Sequence, residues 1–288
     1  MTHESSLFDL ELIKDMLKQP YNLAQRLPMI RLFDQGVKSE AAAVEAAQQL
    51  DAWCPPVDQT EEANDFLWNL WEVMLDIARS PEVTTEVHIG LIRILENLRP
   101  FARGMLSVYG FPWRLWGGFP RLRMAFEEAT SDPTFEGSGM PEFTSEEANI
   151  FRNVSYFEAR CYGANIGRGY GNLIDAMRSA LEEDLSTTEI SKVELKMQVA
   201  CEWILHAANA LLTWARVNGD ITDLPRGHIQ YLDRGTLYHG KPWMCLERLT
   251  FWIGRFEDIG KNESRLSEET RNRVLESARF MKSIESSP

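Results

Sequence analysis

Glu202 and His206 are the two side chains whose types and spacing best suit proton transfer. They lie four residues apart in a stretch, residues 192–217, that contains neither Gly nor Pro. A helix over this stretch would bring the two side chains into contact on one face. A carboxylate beside an imidazole fixes its tautomer and favours its protonated form. The pair therefore predicts a general acid or base, with Glu202 orienting His206.

The polar side chains of this helix form a single narrow stripe. They recur at spacings of three and four: Gln198, Glu202, His206, Asn209, Thr213 and Arg216. At about 100° per residue they cover an arc of only about 80°, whereas a surface helix exposes something like half of its circumference. A narrow stripe beside Trp203 predicts an apolar pocket with a few oriented polar groups. A buried structural network and a solvated helix face remain the alternatives.

Other segments supply further candidates for binding. Thr144 and Glu147 are spaced as a capping box and predict a helix from residue 144 to about 183. Tyr156 and Arg160 share a face of this helix with Gly163, Gly167 and Gly171, which permits close approach of either another helix or a ligand. A kink or interruption near Gly167–Gly171 is the other expectation from these glycines. The segment at 108–120, VYGFPWRLWGGFP, is an aromatic loop that must be covered either by the protein or by something bound. The predicted catalytic residues are His206, Glu202 and Arg160. The predicted substrate-contacting residues are Tyr156, Asn209, Trp203, Thr213, Trp71, Trp116 and Tyr238.

The periodicity of apolar residues predicts an all-α fold of about ten helices and no strands, packed around the helix near 192–217. We expect an N-terminal helical arm over 1–58, beginning with a helix at 7–18, and a main domain over 59–288. The long connection that follows the central helix, from Asn218 to Trp243, predicts a lid because loops of this length are uncommon in compact proteins and often functional.

Composition excludes several classes of protein. The 288 residues are 44% hydrophobic and 25% charged, which is typical of a globular chain. The formal net charge of −13 argues against nucleic-acid binding, and no apolar run is long enough for membrane insertion. The acidic N-terminus resembles no targeting signal, so we expect a soluble cytoplasmic protein. The four cysteines and five histidines have no ligand spacing, which predicts buried thiols and no metal. Without a dinucleotide fingerprint, P-loop or nucleophile elbow, we expect no cofactor.

The C-terminal half resembles a known family. GTLYHGKPWMCLERLTFWIGRFEDIG followed by LSEETRNRVLESARFM is similar to the end of a fungal family of all-helical proteins of unknown function. LWNLWEVMLDIA, NVSYFEARCYGANI and VACEWILHAANALL resemble the preceding helices of that family. The resemblance covers roughly residues 61–281 and transfers no catalytic residue, although family members often carry Gly where this chain has Asn209. It implies a filamentous fungus, in which such proteins sometimes accompany genes for secondary metabolism.

Two functional hypotheses follow. The first is a cofactor-free cyclase or isomerase that folds an apolar metabolite in a Trp-rich pocket, by analogy with pericyclases that guide Diels–Alder steps. Hydrogen bonds from Arg160, Tyr156, His206 and Asn209 would stabilise a carbonyl or oxyanion. The second hypothesis is a non-catalytic ligand carrier or protein-interaction adaptor whose aromatic loops face a partner. Homo-oligomer formation through an apolar patch is a third, weaker alternative.

Overall fold

The computed structural model describes residues 23–134, 143–167, 169–218 and 232–286. This part of the chain is mostly helical, which confirms the predicted all-α class and the count of about ten helices. The α-helices are α1 (Leu23–Gly36), α2 (Glu40–Trp53), α3 (Thr60–Ala78), α4 (Thr85–Leu98), α5 (Leu122–Ala129), α6 (Ser145–Gly163), α7 (Gly171–Leu181), α8 (Ile190–Asn218), α9 (Leu246–Asn262) and α10 (Glu268–Glu285). The helix predicted at 7–18 lies outside the described residues.

The described residues separate into two compact units. The first takes in the described residues of Met1–Pro133 and Glu142–Arg168, which form α1 to α6. Side-chain caps begin three of its helices: Ser39 caps α2, Thr84 caps α4, and Thr144 with Glu147 forms the predicted capping box of α6. In this unit α1 packs on α2, α3 and α4, and α2 packs on α4. The division of the chain at residue 58 remains a prediction.

A two-stranded antiparallel sheet corrects the prediction that the chain has no strands. Strand β1 (Arg103–Val108) pairs with β2 (Phe111–Leu115) through a two-residue turn at Tyr109 and Gly110. Both turn residues have positive φ, 50° and 82°, as the tight turn of a β-hairpin requires. The strands were missed because the alternation of apolar and polar residues fails in β2, where Phe111, Pro112 and Trp113 follow one another.

The second unit contains α7 to α10, from the described residues of Gly169–Pro288. Helix α8 packs against each of α7, α9 and α10, and is the central helix of this unit. It is 29 residues long, close to the predicted span of 192–217. The interior of its apolar face includes Trp203, Ile204 and Leu211, each at most 1% exposed. Burial of these side chains stabilises the unit by roughly 1.5–3 kcal/mol each.

The helix expected to run from residue 144 to about 183 is interrupted. Helix α6 ends at Gly163 and α7 begins at Gly171, with Asn165 and Gly167 at positive φ between them. The predicted face shared by Gly163, Gly167 and Gly171 is therefore wrong, because these residues do not belong to one continuous helix. Interruption near Gly167–Gly171 was the other expectation from the same glycines, and it is confirmed.

All four cysteines are buried free thiols, as predicted from their spacing. Burial raises the pKa of Cys54 to about 12 and that of Cys201 to about 11, because the thiolate is poorly solvated inside the protein. Among the described helices, none is both long and apolar enough to cross a membrane.

Candidate functional site

The predicted contact between Glu202 and His206 is present on α8. Glu202 Oε1 lies 3.4 Å from His206 Nε2, and Glu202 Oε2 accepts a hydrogen bond of 3.0 Å from Arg273 Nη2 of α10. The Glu202 side chain is only 3% exposed, whereas that of His206 is 28% exposed. The carboxylate is therefore buried, and the imidazole is partly exposed at the protein surface. Such a pair can hold a proton at a surface that solutes reach.

The first turns of the polar stripe pack against the start of α10. Glu194 accepts hydrogen bonds from the Ser267 backbone N–H (3.2 Å) and the Thr270 hydroxyl (2.5 Å), and Gln198 donates to the same Thr270 oxygen (3.4 Å). A carboxylate at a helix N-terminus is stabilised by the unpaired N–H groups and the helix dipole. This part of the stripe is a partly buried polar seam between two helices. Sequence reasoning missed Glu194 and Arg273 as members of it.

The last turns of the stripe are at the surface. Asn209 and Thr213 are exposed, and the Thr213 hydroxyl donates to the Asn209 carbonyl at 2.9 Å. Trp203, predicted to contact a substrate beside them, is 1% exposed and belongs to the core. Along α8 the polar stripe therefore packs against α10 at Gln198, is partly exposed at His206, and is exposed at Asn209 and Thr213.

Arg160 and Tyr156, in the first unit, lie beside a buried histidine. The Arg160 guanidinium is 5.6 Å from the Tyr156 ring, and its Nη1 is 2.6 Å from His88 Nδ1. His88 Nε2 is 2.8 Å from the Ala78 carbonyl oxygen, which can only accept, so Nε2 carries the proton and Nδ1 accepts from Arg160. Arg160 therefore ties α6 to α4. This contact supports a structural part for Arg160, and its predicted catalytic role remains a prediction.

Trp71 and Trp116 meet in the core of the first unit. Their rings pack edge to face at 6.3 Å, and both side chains are fully buried. Each indole N–H already has an acceptor: Trp71 donates to the Pro120 carbonyl at 2.7 Å, and Trp116 donates to Asp51 at 2.6 Å. These contacts are those of packed core residues. The structure brings the two rings together with their polar atoms bonded to the protein, and their predicted contact with a substrate remains a prediction.

Tyr238 lies in a segment that a buried ion pair holds in place. Glu182 and Arg248 are both completely buried, with Nε to Oε1 at 2.6 Å and Nη2 to Oε2 at 3.0 Å. Arg248 also donates to the carbonyls of Leu232, Asp233 and Pro242, which lie in the predicted lid. The described part of that segment, residues 232–243, is thus fastened to the unit; residues 219–231 of the lid prediction lie outside the described part. Sequence reasoning missed this ion pair.

The aromatic segment at 108–120 divides into covered and uncovered side chains. Trp116 and Phe119 are buried, whereas Tyr109 is 72% exposed, Phe111 70% and Trp113 39%. Cover by the protein is confirmed for Trp116 and Phe119, while cover of the other three side chains by something bound stays a prediction. The uncovered side chains are on the β-hairpin. We call Tyr109, Phe111 and Trp113 the hairpin patch; Met105 is also exposed, but it pairs with Arg114 on the opposite face of the hairpin.

The hairpin that carries the patch packs against α3. Leu106 and Val108 of β1 are buried, and the Ser107 carbonyl accepts a hydrogen bond of 3.0 Å from the Asn64 side chain of α3. The Arg121 guanidinium lies 4.6 Å from the Trp68 ring and 5.9 Å from the Tyr109 ring. These contacts hold β1 against α3 and place Arg121 beside the ring of the turn residue Tyr109.

The described residues contain no group of three or more His, Cys, Asp or Glu side chains that could hold a metal ion. No curated protein and no solved structure matches the chain. Residues 71–256, well over half of the sequence, match a family model described as a protein of unknown function, DUF3632. The predicted resemblance to an uncharacterised family is confirmed, while its fungal origin stays an expectation. The chain belongs to the DUF3632 family.

Proposed function

We propose that this protein is a non-catalytic protein-interaction adaptor and that the hairpin patch is its docking element. The observation that carries the proposal is the exposure of Tyr109, Phe111 and Trp113 on a hairpin whose Leu106 and Val108 are buried. Contiguous exposed aromatic side chains are characteristic of interaction sites, and Trp and Tyr are enriched among the residues that dominate binding energy.

The fixed base of the hairpin strengthens this assignment. A flexible loop would lose conformational entropy when it docks, whereas a rigid hairpin has little left to lose. The aromatic rings also have few rotatable bonds, so burying them under a partner costs less entropy than burying long aliphatic chains. The four buried free thiols fit a reducing compartment, and a cytoplasmic location is part of the proposal.

The proposal is tested by photo-crosslinking from the hairpin patch. A benzoylphenylalanine residue replaces Phe111 in the full chain, which is irradiated in an extract of the native host. The control places the same residue at Leu205, which is 59% exposed on α8. We expect a discrete crosslinked protein from position 111 that unlabelled wild type competes away and a Phe111→Ser chain does not. Equal crosslinking from both positions, or none from 111, would reject the adaptor.

A second candidate is the cofactor-free cyclase or isomerase of an apolar metabolite, and Glu202 with His206 is the observation that favours it. The imidazole at the rim is within 3.4 Å of a buried carboxylate, and Asn209 is exposed one turn further along α8. Incubation of the protein with a small-molecule extract should then produce a compound of unchanged mass. A His206→Ala chain should lose this conversion. A compound that is retained but not converted would indicate a ligand carrier instead.

A further inference from the structure

Residues 7–18, LFDLELIKDMLK, carry an apolar face on the helix that the sequence predicts there. They lie outside the described part of the chain, which begins with α1 at Leu23. At about 100° per residue, six apolar side chains fall within an arc of about 200° that only Asp9 interrupts: Phe8, Leu10, Leu12, Ile13, Met16 and Leu17. The opposite face is charged. A helix this short is marginal in water by itself, so it needs a surface that buries its apolar face.

The hairpin patch is an exposed apolar surface in the unit that contains α1. Six large apolar side chains are exposed in the described part of this unit, and three of them form the patch. The other three are apart from it, with Trp53 on α2, Ile89 on α4 and Met105 on the opposite face of the hairpin. Because contiguous exposed apolar side chains mark interaction sites, the patch is the described surface of this unit that best suits a second apolar face.

The start of α1 is held close to the elements that support the hairpin. Arg26, in the first turn of α1, forms an ion pair with Glu72 of α3. Glu72 is one helical turn, about 6 Å, from Trp68 along α3. The Arg121 guanidinium lies 4.6 Å from the Trp68 ring and 5.9 Å from the Tyr109 ring, so it links this turn of α3 to the tip of the hairpin.

Residues 7–18 can reach the hairpin patch from this position. The linker at 19–22 can extend over about 13 Å, and a helix over 7–18 would be about 18 Å long. Pro20 in the linker prevents one continuous helix into α1, so the segment can change direction there. The length of chain before α1 is therefore sufficient to lay the apolar face over the exposed rings.

The backbone of the hairpin favours a helix over a strand as the occupant of the patch. Val108 and Phe111 flank the two-residue turn, so the backbone groups of the next pair, Ser107 and Pro112, face outward. Pro112 has no N–H to donate, and the Ser107 carbonyl already accepts from Asn64. Neither edge therefore offers an added strand a complete set of partners near the tip. A helix needs none, because its backbone groups bond to each other.

We infer that residues 7–18 of this chain dock as a helix on the hairpin patch and cover it until a partner displaces them. The inference rests on the proposed adaptor function and adds its regulation. The apolar side chains of the segment lie against Tyr109, Phe111 and Trp113, and its charged face points to solvent. The short linker favours docking within one chain, because it holds the segment at an effective concentration in the millimolar range. The apparent affinity for a partner then falls with the fraction of molecules whose patch is free.

The test measures binding of a labelled synthetic peptide, with the sequence of residues 5–20, to the full chain by fluorescence polarisation. In the chain Ile13→Ser/Leu17→Ser, which we call the released variant, the segment loses apolar contacts and should leave the patch free. We expect this variant to bind the peptide about five- to tenfold more tightly than wild type, as follows if the patch is free in about one wild-type molecule in five to ten. The matched control, Lys14→Ser/Asp15→Ser, changes the charged face at constant net charge and should bind like wild type.

Addition of Phe111→Ser to the released variant should abolish the gain in peptide binding. Circular dichroism and thermal unfolding check that this chain remains folded, as expected because Phe111 is exposed. A peptide that carries Ile13→Ser and Leu17→Ser should bind none of the chains.

Equal peptide binding by wild type and the released variant, or a gain that survives Phe111→Ser, would overturn the inference. Binding of wild type to phosphatidylcholine vesicles, or dimers of wild type, would also overturn it if the released variant loses them, because the segment would then cover a lipid surface or a second copy. None of these measurements involves a partner. Failure of the adaptor would appear separately, as the absence of a crosslinked protein from position 111 of the released variant in the host extract.

Discussion

Glu182 and Glu202 are two carboxylates of the second unit with similar burial and different surroundings. Each is bound by an arginine from a helix further along the chain: Glu182 by Arg248 and Glu202 by Arg273. Arg248 is completely buried, whereas the Arg273 side chain is 34% exposed. Glu182 accepts four hydrogen bonds, two from Arg248, one from the Trp252 indole and one from the Gly235 backbone.

The difference separates a fully buried cluster from one whose arginine and imidazole are partly exposed. Four accepted hydrogen bonds use essentially all the acceptor capacity of a carboxylate, so Glu182 has no position left for a ligand. One carboxylate oxygen of Glu202 accepts a hydrogen bond from Arg273, and the other lies beside the partly exposed imidazole of His206. A closed cluster holds the fold together, and an open one can also exchange protons with a solute. The predictions below test this distinction through stability first and reactivity afterwards.

The largest effect is expected for Glu182→Gln. Loss of the charge leaves Arg248 buried without a counter-ion, which should lower the free energy of unfolding by about 3–5 kcal/mol. Urea denaturation measures this directly. The control is Glu183→Gln, since Glu183 is the neighbouring carboxylate and bonds the exposed Thr236. A loss below about 1 kcal/mol for Glu182→Gln, comparable to that of an exposed pair, would mean that the closed cluster is not a structural anchor.

A smaller loss of stability is expected when a methyl group is added at Gly235, where the loop packs against Glu182. A Cβ at Gly235 would lie 2.6 Å from both the Cβ and the carbonyl oxygen of Glu182. Gly235→Ala should therefore cost about 1–3 kcal/mol through displacement of the loop. The matched control is Gly254→Ala, because a Cβ at this helical position meets nothing within 4 Å. That variant should be neutral or up to about 1 kcal/mol more stable. Equal unfolding midpoints for the two variants would contradict the packing argument.

The same two clusters show what a sequence can and cannot predict. Glu202 and His206 were found because helix periodicity converts a spacing of four into a contact. Glu182 and Arg248 are 66 residues apart, and only the tertiary fold brings them together. The same limit hides the contact between Arg160 and His88, which are 72 residues apart. Local periodicity also predicted the helices well, since most of their ends are marked by Pro, Gly or capping residues.

The aromatic segment shows a second limit. Its sequence indicated that the rings need cover, but it could not separate Trp116 and Phe119, which the protein covers, from Tyr109 and Phe111, which it does not. That separation depends on which residues form the hairpin and which follow it. The turn at Tyr109 and Gly110 was the available signal, since Gly after an aromatic residue is compatible with the positive φ of a tight hairpin.

A more modest effect is expected at the open cluster. Glu202→Gln keeps the shape and one hydrogen bond to Arg273, so it should cost about 1–2 kcal/mol, less than the closed cluster because Arg273 is hydrated. Cys201 reports on the same turn of α8. The pKa of Cys201 is raised to about 11, mainly by burial and in part by the Glu202 carboxylate, so removal of the charge and loosening of the seam both favour the thiolate. Iodoacetamide labelling of Cys201, followed by peptide mass spectrometry, should accelerate in Glu202→Gln and stay slow at Cys161. Unchanged labelling of Cys201 would argue that the seam does not depend on this carboxylate.

The smallest effect on stability is expected for His206→Ala, and it discriminates best between the two candidate functions. The imidazole is partly exposed and its contact with Glu202 is 3.4 Å, so its removal should cost less than about 1 kcal/mol. An adaptor that docks through the hairpin should keep full partner binding in this variant and lose it in Phe111→Ser. A cyclase or isomerase that uses the open cluster should show the reverse, losing turnover in His206→Ala while Phe111→Ser stays active. Because Phe111 is exposed and His206 is partly exposed, both variants should remain folded, and the pair of measurements assigns the function to one region or the other.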